Sequence, residues 1–233
     1  MSGASIHNAG FRVPGSKPEA VIFDAGGTLV LIDPDRFNSF IAGWKLPAVE
    51  RGRLIDAHYR AMSDYADRLA GGEHLAFGWW VERFFGLAGL PLPADMAEAF
   101  HGGRGMWHHP VPGAMEAVQD LRARDYRVAV VSNSDGTVAD ALNMAGFGGV
   151  FEVVVDSTDV GVSKPDPAIF AMTLRRLGLP AEKAWYVGDS HFHDLGGAKA
   201  AGLAASVLID PLGRGPAGQM SVRAISELGD LLP

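Results

Sequence analysis

The chain has 233 residues, 48% hydrophobic and 20% charged, enough to bury one large core or a core carrying a smaller insert, and far from a disordered composition. Its formal net charge of −7 argues against non-specific nucleic-acid binding, which needs a basic face to displace counterions. The absence of cysteine excludes disulfides, thiolate metal sites and a cysteine nucleophile, and no apolar run approaches the length of a membrane span.

Residues 1–18 are rich in Gly, Ser, Asn and Pro and lack a basic-then-apolar signal layout, so a loose leader and a cytoplasmic location are the expectation. The first informative stretch is Val21-Ile22-Phe23-Asp24-Ala25-Gly26-Gly27-Thr28-Leu29. An apolar run without polar alternation reads as a strand buried on both faces, as in a parallel sheet. Gly26 and Gly27 allow a sharp turn directly after it, which puts Asp24 at the carboxyl end of the strand, where open α/β sheets bind ligands. By itself Asp24 reads equally well as a turn cap.

Asp33-Pro34-Asp35 is a turn signal with Pro34 placed to begin a helix. From Arg36 to about Phe100 the periods are helical. Phe37, Phe40, Ile41 and Trp44 share one stripe, and Leu54, His58, Met62, Tyr65 and Leu69 share the next. After a break at Gly71-Gly72 come Phe77, Trp80, Val81, Phe84 and Phe85, then a helix capped by Asp95 and ending at Phe100. From Pro112 helices and strands alternate. Helices are expected over 113–124, 137–145, 167–177 and 194–201, and strands over 127–132, 151–155, 184–187 and 204–209. That alternation means βαβ units. The fold class is therefore α/β, a Rossmann-like parallel sheet core formed by 19–33 with 108–233 and interrupted by a helical insert at 34–107.

Polar residues follow the buried strands at three further junctions: Ser132-Asn133, Lys164 before Pro165, and Gly188-Asp189 with Asp194 five positions on. Each alone reads as a cap or a surface charge. Together, carboxylates gathered at one sheet edge would repel unless a cation sat among them.

Asp24-x-x-Gly27-Thr28, Ser132-Asn133, Lys164-Pro165 and Gly188-Asp189…Asp194 resemble, in order and over essentially the whole chain, the four motifs of the haloacid dehalogenase superfamily. The insert after the first motif resembles that superfamily's helical cap. The resemblance implies that Asp24 attacks phosphorus and forms an aspartyl-phosphate. It implies Mg²⁺ held by Asp24, the Gly26 carbonyl, Asp189 and Asp194, with Asp194 acting directly or through water. Ser132, Asn133 and Thr28 would contact the phosphoryl group, and Lys164 would neutralise charge. The implied partner is a small phosphorylated substrate, without nucleic acid or membrane; Arg104 is a candidate contact for a substrate anion.

One position departs from the common phosphatase pattern. Where that pattern has a second aspartate as general acid and base, this chain has Gly26. General acid–base help is worth about 10²–10⁴ in rate, so substrates with good leaving groups are expected. Three alternatives stand beside this reading. A 2-haloacid dehalogenase also lacks the second aspartate. A phosphonatase-like enzyme would need a cap lysine, for which Lys45 is the candidate. A non-catalytic phosphate-binding protein would be a decayed hydrolase. Of the histidines, His101, His108 and His109 lie near the return to the core, and His191 and His193 lie in the acidic loop.

Overall fold

The computed structural model describes residues 17–233; the stretch expected as a loose leader, 1–18, lies outside the described residues as far as residue 16. The chain enters through β1 (Ala20–Phe23), every residue of which is buried. The loop after Asp24 folds back tightly, with Gly27 N–H donating to the Val30 carbonyl at 2.8 Å and Leu29 N–H to the Ala25 carbonyl at 2.8 Å. The loop leads into β2 (Val30–Ile32) and then a helical segment.

In that segment α1 (Pro34–Ala42) starts as expected: Asp33 caps it by accepting from Arg36 N–H, and Pro34 occupies the first turn. It is followed by α2 (Arg51–Ala70), α3 (Phe77–Ala88) and α4 (Ala94–Phe100). α3 stops at Gly89, whose φ of 79° is the left-handed conformation glycine adopts without penalty. Asp95 is not the cap of α4: it lies inside the first turn, its carboxylate accepting from the neighbouring Met96 N–H at 3.0 Å, and Pro93 holds the cap position. These helices share an apolar core of their own, in which Phe37, Trp80, Phe84, Phe85 and Phe100 are almost wholly buried. Trp80 stacks on Phe84 at 5.1 Å, and Phe37 meets Phe84 edge-on at 5.6 Å, geometries favoured by the ring quadrupoles.

The chain returns through β3 (Trp107–Pro110), which pairs antiparallel with β2. Sequence periodicity does not anticipate this ribbon, because its strands are short and Trp-His-His-Pro has no alternating pattern.

The remainder builds the main sheet. α5 (Ala114–Ala123) leads to β4 (Arg127–Ser132), α6 (Val138–Leu142) to β5 (Val153–Asp156), and the short α7 (Ser157–Val160) to α8 (Pro167–Leu177). Then come β6 (Ala184–Gly188), α9 (Gly197–Ala200), β7 (Ala205–Ile209), β8 (Ser221–Val222) and α10 (Leu228–Leu231). Two expected elements shift. The strand placed at 151–155 runs two residues later at its start, and the helix placed at 194–201 begins with a wide π-type turn at His191–Gly196.

Among the described residues the sheet has six strands in the order β5-β4-β1-β6-β7-β8, all pairs parallel. The result is an α/β fold with β1 central, between the strand ending in Ser132 and the strand ending before Asp189. Apolar side chains fill both faces, Val21, Phe23 and Trp185 on one and Ile22, Phe170 and Tyr186 on the other. Among the described residues no helix is long and apolar enough to cross a membrane.

Candidate active site

Parallel strands put all their carboxyl ends on one edge, so the loops after β1, β4 and β6 converge there. Asp24 continues the ladder beyond β1, its N–H donating to the Val187 carbonyl at 2.8 Å. Lys164 reaches in from the loop before α8. Its Nζ donates to Asp24 Oδ1 at 2.5 Å, to Asp194 Oδ1 at 2.7 Å and to the Tyr186 hydroxyl at 3.0 Å, which uses all three of its protons. Asp194 is fixed on its other side, where Oδ2 accepts from Ser190 N–H at 2.9 Å. A Cβ on Gly188 would lie 2.4 Å from Asp194 Cγ, so only glycine lets the loop close this tightly.

Asp189 pairs with His58 of α2, Nε2 to Oδ2, at 3.0 Å. The adjacent Tyr59 hydroxyl donates to the Gly27 carbonyl at 2.8 Å. At Gly27 φ is 74°, and a Cβ there would lie 1.9 Å from Asp189 Oδ2. The glycine is required both for its backbone conformation and for the space it leaves.

Asp24, Asp189 and Asp194 each offer an oxygen within 4.8 Å of the others, and all three are buried. Burial is the largest influence on Asp24 and, with the neighbouring carboxylates, pushes its pKa up to about 8 against the pull of the Lys164 ammonium. Asp189 is likewise raised by burial, opposed by its His58 hydrogen bond. Burial works against the charge on Lys164, yet Asp194 and Asp24 more than compensate, and its pKa is raised. One ammonium among three carboxylates leaves an excess of negative charge. The Asp189 Oδ1 atom is buried without a hydrogen-bond partner. Clustered hard oxygen donors, excess negative charge and an unsatisfied carboxylate oxygen fit a divalent cation such as Mg²⁺.

Above this floor is a cavity of about 410 Å³. Asp24, Gly26, Ser132, Asn133, Lys164, Asp189 and Asp194 all line it, and so does Arg104. Arg104 is largely exposed and forms an ion pair with Asp135 at 3.2 Å. The Asn133 side chain clamps the backbone of Lys164, accepting from its N–H at 2.8 Å and donating to its carbonyl at 2.9 Å. Thr28 stands apart: it is fully buried, does not line the cavity, and its hydroxyl has no hydrogen-bond partner. The tight turn from Ala25 to Val30 takes it into the protein, so its expected contact with substrate has no cavity-facing surface behind it.

The upper wall is Met62, Tyr65, Phe77 and Trp107. Trp107 stands beside the place where a side chain at Gly26 would begin, with Cζ3 in ordinary contact at 3.5 Å from the position of a Cβ. His101 lines the cavity, whereas His108 and His109 face Asp33 at 3.7 and 3.9 Å. His191 pairs with Asp67 at 3.5 Å and His193 stacks on Tyr65. Among the described residues neither joins a metal-ligand cluster. Lys45 is exposed in the turn after α1, away from the cavity.

Sequence reading did not find Tyr186, His58 or Asp156. Tyr186 lies inside an apolar run and His58 inside a helical apolar stripe. Asp156 accepts from Gly136 and Val138 N–H and holds the loop that follows Ser132.

The sequence model for haloacid dehalogenase-like hydrolases matches residues 18–202. The haloacid dehalogenase-like hydrolase domain-containing protein 3 of Homo sapiens is 30% identical over 169 residues, which span 66% of this chain and 66% of that protein. The glyceraldehyde 3-phosphate phosphatase of Methanopyrus kandleri is 28% identical over 194 residues, 79% of this chain and 81% of that protein. Among solved structures, the magnesium-bound HAD-hydrolase YfnB of Bacillus subtilis superposes with a TM-score of 0.65. It is 20% identical and covers 93% of this chain and 99% of that one, a likeness of fold.

Proposed function

The chain belongs to the haloacid dehalogenase-like hydrolase family, and from that premise we propose that it is a Mg²⁺-dependent phosphatase acting through Asp24 on a small phosphorylated metabolite with a good leaving group. The observation that carries the reading is the floor of the cavity, where the Asp24 carboxylate has an ammonium on one oxygen and two further carboxylates within 4.8 Å.

Asp24 attacks phosphorus with a carboxylate oxygen. The bond to the leaving oxygen breaks, and that oxygen departs with the electron pair. Water then displaces the phosphoryl group from Asp24 as inorganic phosphate. Lys164 holds Asp24 in place and balances its charge, while the Ser132 hydroxyl and the Asn133 backbone amide hold phosphoryl oxygens. Asp24, Asp189, Asp194 and the Gly26 carbonyl would hold Mg²⁺, which when bound supplies positive charge beside the transferring group. The helical segment 34–107 acts as a cap whose aromatic wall excludes water from the reaction.

Gly26 decides the substrate class. No acid stands there to protonate a departing alkoxide, and the Trp107 indole fills the adjacent space. Aryl oxides, carboxylates and phosphates leave as anions with little help, and the Tyr65, Phe77 and Trp107 wall suits an aryl group best. The similarity to a glyceraldehyde 3-phosphate phosphatase supports phosphomonoester chemistry. The test is phosphate release from aryl, acyl and sugar phosphates with Mg²⁺ and with a chelator. Mg²⁺-dependent release favouring aryl and acyl phosphates is expected.

Hydrolysis of a 2-haloacid at Asp24 is the second reading, favoured by Gly26, since a halide leaves without a proton. His58 and Lys164 give Asp189 and Asp194 partners without a cation, which lessens their repulsion of a carboxylate substrate. Halide release unaffected by a chelator would select it over the first.

A further inference from the structure

α2 meets the sheet edge along a seam of successive contacts. His58 takes Asp189, Tyr59 takes the Gly27 carbonyl, and Asp64 takes Arg214 at 2.7 Å. The first of these is unlike the others. His58 and Asp189 are both almost completely buried, and their meeting point lies against the backbone of the loop that carries Asp24. Edge-on rings of Tyr59, Trp80 and Trp107 surround the imidazole and fix its plane.

An ionised carboxylate only accepts, so with Asp189 ionised the proton of the pair is on His58 Nε2. Nδ1 is buried with no hydrogen-bond partner. The imidazole therefore pins one oxygen of Asp189, Oδ2, and leaves Oδ1 buried and unpartnered on a residue that belongs to the acidic cluster.

We infer that His58 is a positioning residue for the metal site, a side chain from the helical cap that holds Asp189 with one oxygen free for the cation, so that cation binding and the docking of α2 onto the sheet are coupled. The inference rests on the Mg²⁺ reading above. Outer partners of metal-binding carboxylates and imidazoles typically change metal affinity by about 10–100-fold when removed. Because coupling is reciprocal, the cation must also strengthen the docking of α2.

The test is calorimetric titration of Mg²⁺ alone, without substrate, into native protein and the His58→Phe, His58→Gln and Asp189→Asn variants. Phe keeps a ring in the space but has no donor; Gln returns an N–H donor near the place of Nε2. His58→Phe is expected to weaken Mg²⁺ about 10–100-fold, with His58→Gln recovering most of the loss and Asp189→Asn losing binding. Equal affinity in native protein and His58→Phe overturns the inference alone. Failure of the native protein to bind Mg²⁺ overturns the cation reading and the inference with it. Hydrogen exchange on native protein supplies a readout that does not depend on the variants folding. Mg²⁺ should slow exchange in residues 51–70, and unchanged exchange there at saturating Mg²⁺ contradicts the coupling.

Discussion

At the ends of β1 and β6 the chain buries Asp24, Asp189 and Asp194 around one lysine, whereas between α1 and α4 it buries Phe37, Trp80, Phe84, Phe85 and Phe100. Both regions exclude water, but they answer to different constraints. In the floor Asp24, Lys164 and Asp194 are held by partners of opposite charge, and a single deletion leaves a group unpaired in a poor solvent. In the helical segment the partners are chosen by shape, and a deletion leaves a void. The floor thus gathers charge at a cost in stability, while the aromatic core holds the helical segment together.

Asp24→Asn breaks this comparison most sharply. Removing the proposed nucleophile should lower turnover by about 10⁴–10⁶-fold. The melting temperature should hold or rise, because the substitution removes a carboxylate whose ionisation the site resists. The same logic sets a pH dependence. Unfolded, Asp24 ionises near its ordinary value of 3.8; folded, burial raises it to about 8. Between these values the folded state holds the extra proton, so in a chelator the native protein should lose stability as pH climbs through that window and level off above it. In Asp24→Asn the slope should shrink, and what remains of it should come from Asp189, which burial also raises. A native protein that gains stability from pH 5 to pH 8 contradicts this, as urea titrations would reveal.

Next in size is the leaving-group gap. Aryl and acyl phosphates should be hydrolysed about 10²–10⁴-fold faster than alkyl phosphates, the worth of an absent general acid. The backbone at Gly26 is outside the left-handed region, and a Cβ there makes ordinary contact with Trp107. Gly26→Asp combined with Trp107→Ala should therefore narrow the gap. A flat dependence of rate on leaving-group pKa would reveal an acid elsewhere, with His101 in the cavity wall the first to examine.

The aromatic region answers to volume. Phe84→Ala should cost about 3–5 kcal/mol of stability in denaturant titrations, while Mg²⁺ still binds wherever the protein remains folded. Equal loss of metal at full folding would mean that the two regions are not separable. The smallest effect belongs to the outer seam. Burial is the largest single influence and raises Asp64, but the hydrogen bonds and charges of Arg214 and Arg83 together outweigh it and hold the carboxyl below its usual range. Asp64→Asn should cost less than about 1 kcal/mol, and the native contribution should vanish as pH falls below the ordinary carboxylate range.

The two regions also differed in how far the sequence revealed them. Asp24, Ser132, Lys164 and Asp189 stand directly beside apolar runs or prolines, because strand ends and tight turns demand recognisable residues there. The βα alternation followed for the same reason, and α8 runs from Pro167 to the Gly178 stop as read. His58 was hidden by its own helix. It falls between Leu54 and Met62 on an apolar stripe, and only the fold brings it to Asp189, 131 positions away. Trp107 and the β2–β3 ribbon were hidden by brevity, since strands this short leave no period to detect. Tyr186 was hidden by burial: inside a strand covered on both faces, a hydroxyl that serves Lys164 looks like one more apolar position.

On the proposed mechanism Asp24 carries the phosphoryl group. The direct measurement is acid quench of the protein during turnover of a radiolabelled aryl phosphate with Mg²⁺, followed by mapping of the labelled peptide. Label is expected on the peptide containing Asp24, present with Mg²⁺ and absent with a chelator or in Asp24→Asn. Turnover with no label, or label on any other residue, would contradict it.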